Sequence, residues 1–367
     1  MLGAASSGPR PLYAVIMAGG RGERFWPRSR KKLPKQFLPL FGKRTMIQMT
    51  CNRLREVVPP EHILVVTGAD LADLARTQLP QLPGENIIAE PVGRNTAPCI
   101  GLAAVLVEAR DSEAVMAVLP ADHRIEDEEG FRRLLRRAAD LTAVHDVPVT
   151  LGITPSYPET GYGYIQAGDA MDLRDPEGAR WVERFVEKPT VDKAREYLAA
   201  GNFYWNSGMF IWRAATIRRL LAEFLPEIHR GLQRIEEALG TPAFQETLVA
   251  EFSGFPSVSI DYGILEKTDR ILVIPADIGW DDVGHWTAVS RLSPHDRDGN
   301  VIEGNVIAIN TENSLISGHD RLIATIGLKN VVIVESEDAV LVCAKDRVQE
   351  VRQVLARLRE RGLQQYT

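Results

Sequence analysis

Cysteine is scarce in this chain. Cys51, Cys99 and Cys343 are the only three among 367 residues, and they form no C-x-x-C pair. That excludes a disulfide scaffold and reads as idle thiols in a reducing cytoplasm. Long apolar runs are missing too, and none approaches a membrane span. The N-terminus, MLGAASSGPR, lacks the apolar segment of a secretory signal and reads as a loose extension over residues 1–10. Excess positive charge is absent: the net charge is −6, so there is no bulk attraction to nucleic acid or to an acidic membrane. Any anion must be bound by a local patch. What remains is an ordinary globular composition, 45% apolar and 25% charged, in a chain long enough for two domains.

One local patch stands out. Met17 to Phe37 reads MAGGRGERFWPRSRKKLPKQF and follows the apolar run Leu12 to Ala18, which predicts a buried strand. Gly19, Gly20 and Gly22 let the backbone turn sharply and come close to a ligand. Arg21, Arg24, Arg28 and Lys35 surround that turn with positive charge, and Pro34 stiffens the approach to Lys35. Peptide N–H groups and fixed cations together make an anion site, with triphosphate the obvious anion. A dinucleotide loop G-x-G-x-x-G fails here because Phe25 stands at its third glycine, and no Walker pattern fits.

Strand-like and helix-like segments alternate through the first half. Ile63–Val66, Asn86–Ala89 and Val115–Leu119 predict strands; Ala97–Ala109 and Glu128–Val144 predict helices. Alternation of this kind implies an α/β fold, a mostly parallel Rossmann-like sheet flanked by helices, with ligands beyond the carboxyl ends of the strands. The arginines at 132, 133, 136 and 137 read as a solvated helix face in preference to a nucleic-acid surface. From Val147 to about Trp212 the pattern turns to β-rich segments with aromatics, which suggests further strands and a lid. Helices follow between Ala215 and Glu251, then a strand at Ile271–Ile274. Beyond Arg297, short strands separated by Asn, Gly or Asp suggest a small all-β domain. Its last segment carries Val348, Val351, Val354, Leu355 and Leu358 on one stripe, an amphipathic helix for its own chain or a partner. The expected division is residues 1–10, 11–296 and 297–367.

The glycine-rich loop, with Phe25-Trp26-Pro27 and Pro34-Lys35-Gln36-Phe37, resembles that of the sugar-1-phosphate nucleotidyltransferases, in their mannose-1-phosphate guanylyltransferase branch. The resemblance runs through nearly the whole chain after residue 10. It implies a nucleotide-diphospho-sugar transferase fold and turns the all-β segment into a short β-helix. It also assigns roles. Gly19, Gly20, Arg21, Gly22, Arg24 and Lys35 would bind nucleotide. Arg94 and Asn95, in the GRNTAP run, would lie beside the purine; capping of a helix by Asn95 or Thr96 is the plain alternative. Asp122 in LPADH and Asp282 in WDDVG would hold Mg²⁺ or another divalent cation, which takes one or two carboxylates and phosphate oxygens. On the residues alone Asp122 could be a helix cap, and Asp281 rivals Asp282.

Tyr162 and Gly163 in TGYGY, Glu187 and Lys188 in FVEKP, and Asn206 and Gly208 in NSGMF would line the sugar phosphate pocket. A plain β-turn and a surface ion pair are the alternatives for the first two. Phe203, Tyr204, Trp205, Phe210 and Trp212 read as core. Ser259–Lys267 reads as architecture. The implied reaction joins GTP and mannose 1-phosphate to give GDP-mannose and pyrophosphate, with Arg21, Lys35, Asp122, Lys188 and Asp282 as the catalytic set. An ADP- or UDP-sugar pyrophosphorylase and a non-catalytic regulatory homologue are the rivals. A cytoplasmic homo-oligomer, a dimer for preference, is expected, without nucleic-acid or membrane partners. Some family members carry a fused phosphomannose isomerase module, and an end at Thr367 leads to the expectation that this activity is absent.

Overall fold

A computed structural model describes residues 10–172, 174, 175 and 177–367. The expected N-terminal extension therefore lies, except for Arg10, outside the described residues. The chain forms two compact units. One comprises the chain up to Gly19, Cys51–Pro120 and Ile125–Trp280; the other comprises Gly20–Thr50, Ala121–Arg124 and Asp281–Thr367.

The first unit is built on a nine-stranded sheet. Its strands are β1 (Leu12–Met17), β2 (Ile63–Gly68), β3 (Ile87–Glu90), β4 (Val115–Pro120), β5 (Val149–Ile153), β6 (Tyr164–Ala170), β7 (Arg180–Val186), β8 (Phe203–Arg213) and β9 (Leu272–Ala276), in the order β3-β2-β1-β4-β8-β5-β9-β7-β6. β1, β2, β3 and β4 run parallel, as do β5 and β9. β8 lies antiparallel to both β4 and β5 and joins the two parallel blocks. The aromatic segments therefore extend the sheet itself. The inner strands are buried on both faces, which is why LYAVIM and ILVVTG read as continuous apolar runs. Helix Thr96–Arg110 is apolar on nearly every side and sits in the main core with Phe210 and Trp212. Helix Glu128–His145 is capped by Asp127, which accepts from the Gly130 N–H at 2.8 Å. It buries Phe131, Leu134, Leu135 and Ala138, and pairs Arg132, Arg133 and Arg137 with Glu56, Glu177 and Asp175. Those arginines are already engaged by carboxylates, in keeping with a solvated face.

The second unit contains a short parallel β-helix. β10 (Val301–Glu303), β12 (Leu315–Ser317) and β14 (Val331–Glu335) stack in parallel, and β15 (Val340–Ala344) closes that sheet antiparallel to β14. β11 (Val306–Ile309) and β13 (Ile323–Ile326) form a second parallel layer. The register places Val301, Leu315 and Val332 in one buried column. Asn310, Asn313 and Asn330 occupy the left-handed region that Asn tolerates better than most residues. Helix Val351–Glu360 buries Val351 and Leu355 in the same core as Phe25, Trp26 and Trp286, so its stripe packs on its own chain.

Candidate active site

The order of strands reverses between β1 and β4. From β1 the sheet grows one way through β2 and β3, and the other way through β4. The carboxyl ends of strands flanking such a switch are where open α/β sheets bind ligands. The chain leaves β1 into the glycine-rich turn, and leaves β4 into Asp122.

In the second unit, the turn is organised around Lys35. Gly22 has φ +60°, and a Cβ built there would stand 2.3 Å from the Lys35 Cβ and 2.9 Å from its backbone N. Only glycine fits that contact. Gln36 donates to the Gly20 carbonyl at 2.9 Å, and Ser29 to the Gly22 carbonyl at 2.8 Å, so the turn is tied to the segment that carries Lys35. Phe25 and Trp26 hold its far side in the core, and the Trp26 indole donates to the Tyr366 carbonyl at 2.8 Å.

Lys35 is buried, and its Nζ lies 2.9 Å from an Asp122 carboxylate oxygen and 2.6 Å from the Asp282 carbonyl oxygen. The ring of Phe25 is 5.6 Å away. Burial pushes the Asp122 carboxyl upward, but the Lys35 charge, His123 and hydrogen bonds outweigh it and hold the group below the ordinary value. Asp122 is thus a carboxylate at neutral pH. Arg24 stands near Asp282 and Arg352. Burial and the Arg352 charge lower its pKa, and Asp282 opposes them. Two aspartates, Lys35 and Arg24 therefore share one neighbourhood.

The two candidate aspartates of WDDVG have different surroundings. Asp281 is buried, accepts from the Val283 N–H at 2.8 Å and pairs with Arg291. The backbones of Arg124 and Asp281 also bridge each other at 2.9 and 3.0 Å. The Asp282 carboxylate lies over Gly284, whose Cβ would come within 3.2 Å of both its oxygens. Val283, with φ +49°, makes the turn that separates the two. Among the described residues no cluster of three or more His, Cys, Asp or Glu could hold a metal ion. Arg21 is exposed and, with Glu23, lines one end of a cavity of about 1300 Å³ that runs toward the β-helix.

In the first unit a second group forms. The Asn206 N–H donates to the Gly163 carbonyl at 2.8 Å, and the Glu187 carboxylate occupies the space that a Cβ on Gly163 would need, 2.5 Å from it. Lys188, with φ +42°, turns its Nζ onto Glu187 at 2.8 Å. That hydrogen bond is the main cause raising the Lys188 pKa; the Glu187, Tyr262 and Asp261 charges add to it, against burial. The ammonium is mostly exposed. Asn206 also accepts from the Gly208 N–H at 3.0 Å, and Gly208 has φ +66°. The ring of Tyr162 packs edge-on against Trp205 and Trp280. All six residues expected at the sugar phosphate thus lie in one unit, and contacts link Gly163, Glu187, Lys188, Asn206 and Gly208.

Sequence reasoning left out Asp261. It accepts from the Asn206 amide at 2.8 Å, and burial raises its pKa. It stands in the first turn after Ser259, whose hydroxyl caps the short helix Ile260–Gly263. An acid there looks like routine helix-end chemistry, which hid it. The same segment reaches the GRNTAP loop. The Ile260 N–H donates to the Thr96 hydroxyl at 2.8 Å, and the Ala97 N–H to the Val258 carbonyl at 3.1 Å. Arg94 donates to the Ser253 carbonyl, and Asn95 accepts from the Thr96 N–H at 2.9 Å. Asn95 has φ +68° and ψ −170°, a region that costs a non-glycine residue roughly 1–3 kcal/mol and marks functional loops.

Comparison with known proteins agrees with this architecture. The nucleotidyl transferase family model matches residues 13–299, and that of the MannoseP isomerase/GMP-like beta-helix domain matches residues 304–358. The chain is a sugar-nucleotide-forming nucleotidyltransferase by family. Within that class it belongs to the mannose-1-phosphate guanylyltransferase family. It is 41% identical over 357 residues to the mannose-1-phosphate guanylyltransferase of Escherichia coli K12, covering 96% of this chain and 74% of that protein. It is 43% identical over 359 residues to the xanthan biosynthesis protein XanB of Xanthomonas campestris, covering 97% and 75%. Among solved structures, a Thermus thermophilus mannose-1-phosphate geranyltransferase shares 36% identity at a TM-score of 0.86, covering 95% of this chain and 99% of that one.

Proposed function

We propose that this protein transfers GMP from GTP to mannose 1-phosphate, giving GDP-mannose and pyrophosphate. The observation that carries the reading is the Lys35 cluster. A buried ammonium, two aspartates and Arg24 surround a glycine turn, in a family whose relatives bear the guanylyltransferase name.

The phosphate oxygen of mannose 1-phosphate attacks the α-phosphorus of GTP. A phosphorus–oxygen bond forms there as the bond to the β-phosphate bridging oxygen breaks, and pyrophosphate leaves. A phosphate monoester is already a nucleophile near neutral pH, so no side chain need act as base. The obstacle is the meeting of two polyanions, which positioning and charge neutralisation lower. Arg21, Arg24, Lys35 and the amides of Gly19, Gly20 and Gly22 hold the triphosphate. Lys188 pairs with the sugar phosphate, while Glu187 and Asn206 accept from and donate to sugar hydroxyls beside Tyr162, Gly163 and Gly208. Arg94 and Asn95 shape the purine side, Arg94 by anchoring its loop.

Asp122 and Asp282 are the residues that would hold Mg²⁺. The fit rests on the donor set: the Lys35 ammonium gathers an Asp122 carboxylate oxygen and the main-chain carbonyl of Asp282, and the Asp282 carboxylate, over Gly284, is the second acid that a divalent cation would use. Bound Mg²⁺ would neutralise phosphate oxygens. The catalytic domain is assigned to residues 11–296 and the β-rich domain to 297–367. A dimer formed through the C-terminal region is part of the reading, and so is a cytoplasmic location. No helix among the described residues is long and apolar enough to cross a membrane.

The test is pyrophosphate release from purified protein with Mg²⁺ and each pairing of GTP, ATP or UTP with mannose 1-phosphate or glucose 1-phosphate. GTP with mannose 1-phosphate is expected to be fastest. Lys35→Ala should lose about 100-fold in turnover, the effect of one lost charge-stabilising donor. Silence with GTP and turnover with UTP or ATP would overturn the base assignment; silence with every pair would favour the regulatory homologue.

A further inference from the structure

Helix Val351–Glu360 packs on the phosphate turn within the second unit. Val351 and Leu355 bury one of its faces in the core that holds Phe25 and Trp26. Arg359 donates to the Glu23 carboxylate at 2.7 Å, so an adjoining stripe also meets the turn. Arg352 precedes Arg359 by seven residues, about two turns of helix, and shares that stripe. Its charge reaches the guanidinium of Arg24, the neighbour of Glu23 in the turn.

Neither of these two cations is matched. Among the described residues Arg24 and Arg352 make no hydrogen bond or ion pair, and the Arg24 Nε is also shut off from solvent. The helix adds to the conflict. Arg352 lies in its first turn, where the dipole disfavours a cation, and no acid stands in that turn. The positions three and four residues away hold Val348, Gln349, Leu355 and Ala356, so no carboxylate on the helix can reach it. Arg347, Arg357 and Arg359 are by contrast paired with Glu350, Glu360 and Glu23.

Two like charges side by side lower stability unless an anion comes between them. Guanidinium forks match phosphate oxygens in bidentate fashion. Lys35 is already answered by Asp122 at 2.9 Å, so the positive charge left over around the turn is that of Arg21, Arg24 and Arg352. The β- and γ-phosphates of a nucleotide carry more negative charge than the α-phosphate, and more still once released. We propose that Arg352 is a phosphate ligand supplied by the C-terminal helix, and that with Arg24 it clasps the two phosphates that depart as pyrophosphate. This rests on the nucleotidyl transfer proposed above and makes the C-terminal helix part of that reaction. Positive charge fixed there stabilises the leaving group as its bond to the α-phosphorus breaks.

The experiment compares Arg352→Gln and Arg352→Lys with the wild type, with Mg²⁺, in both directions: GTP with mannose 1-phosphate, and GDP-mannose with pyrophosphate. In Arg352→Gln, KM for GTP and for pyrophosphate should each rise about 10-fold, the effect of one lost charge-assisted hydrogen bond. KM for GDP-mannose and for mannose 1-phosphate should hold. Arg352→Lys keeps the charge without the fork and should recover part of the loss. The thermal midpoint of Arg352→Gln should stay level or rise, since a cation at the wrong end of a helix is removed. Calorimetric binding of inorganic pyrophosphate should weaken by the same factor, and this readout needs no turnover. Unchanged KM values, or an equal rise for all four substrates, would overturn the role of Arg352. A wild type that ignores GTP and turns over UTP or ATP would instead overturn the substrate assignment. The pyrophosphate comparison would still decide on Arg352, because every such reaction releases pyrophosphate.

Discussion

Replacing Glu90 with Gln should make the free protein more stable, by an amount that grows with pH. The carboxyl ordinarily titrates at 4.5, and burial raises it to about 7 in the folded chain, against the Cys99 hydrogen bond. A raised acid favours the folded state while it is neutral. That contribution is complete below about pH 4.5 and is lost as pH rises through 7, because the buried group must then carry charge. With those two values, the relative cost of the acid is about 1 kcal/mol at pH 5 and about 3 kcal/mol at pH 8. Glutamine has the same shape and never ionises, so the variant escapes this cost. Urea unfolding of both proteins at pH 5, 6, 7 and 8, without nucleotide, measures the difference. The gap should open by about 2 kcal/mol between the ends of that range. A gap that stays flat would show that Glu90 titrates as an ordinary surface acid, and the desolvation argument would fail.

Gly22→Ala should cost roughly 2–4 kcal/mol of stability from left-handed strain and overlap with the Lys35 backbone, and should abolish turnover; a normal unfolding midpoint would show that the turn can relax. Asp281→Asn and Asp282→Asn should behave oppositely. The first weakens the pairing of buried Asp281 with Arg291 and should lower stability by about 2 kcal/mol, whereas the second should keep the fold and lose most Mg²⁺-dependent turnover. The reverse pattern would hand the catalytic role to Asp281. Asp261→Ala strips the Asn206 amide of its acceptor, so KM for mannose 1-phosphate should rise about 10-fold while KM for GTP holds; equal changes in both would mark Asp261 as merely structural.

Much of the fold could be read from local pattern. β1, β2 and β4 are apolar on both faces, and Thr96–Arg110 and Glu128–His145 appear within a residue or two of expectation, because burial on two faces and helical amphipathicity leave period-specific marks. The position of β8 was not legible. FYWNSGMFIWR says that a strand is buried, but nothing in its alternation says that it runs antiparallel between β4 and β5. Helix Val191–Ala200 went unnoticed because a single residue, Ala194, is buried on it. Motifs supplied Lys35, Asp122 and Asp282, yet only coordinates reveal that Gly22 is glycine because Lys35 stands 2.3 Å from its missing Cβ. Asp261 was illegible for a different reason. Its partner, Asn206, is 55 residues away, and an acid beside a serine cap has a sufficient local explanation.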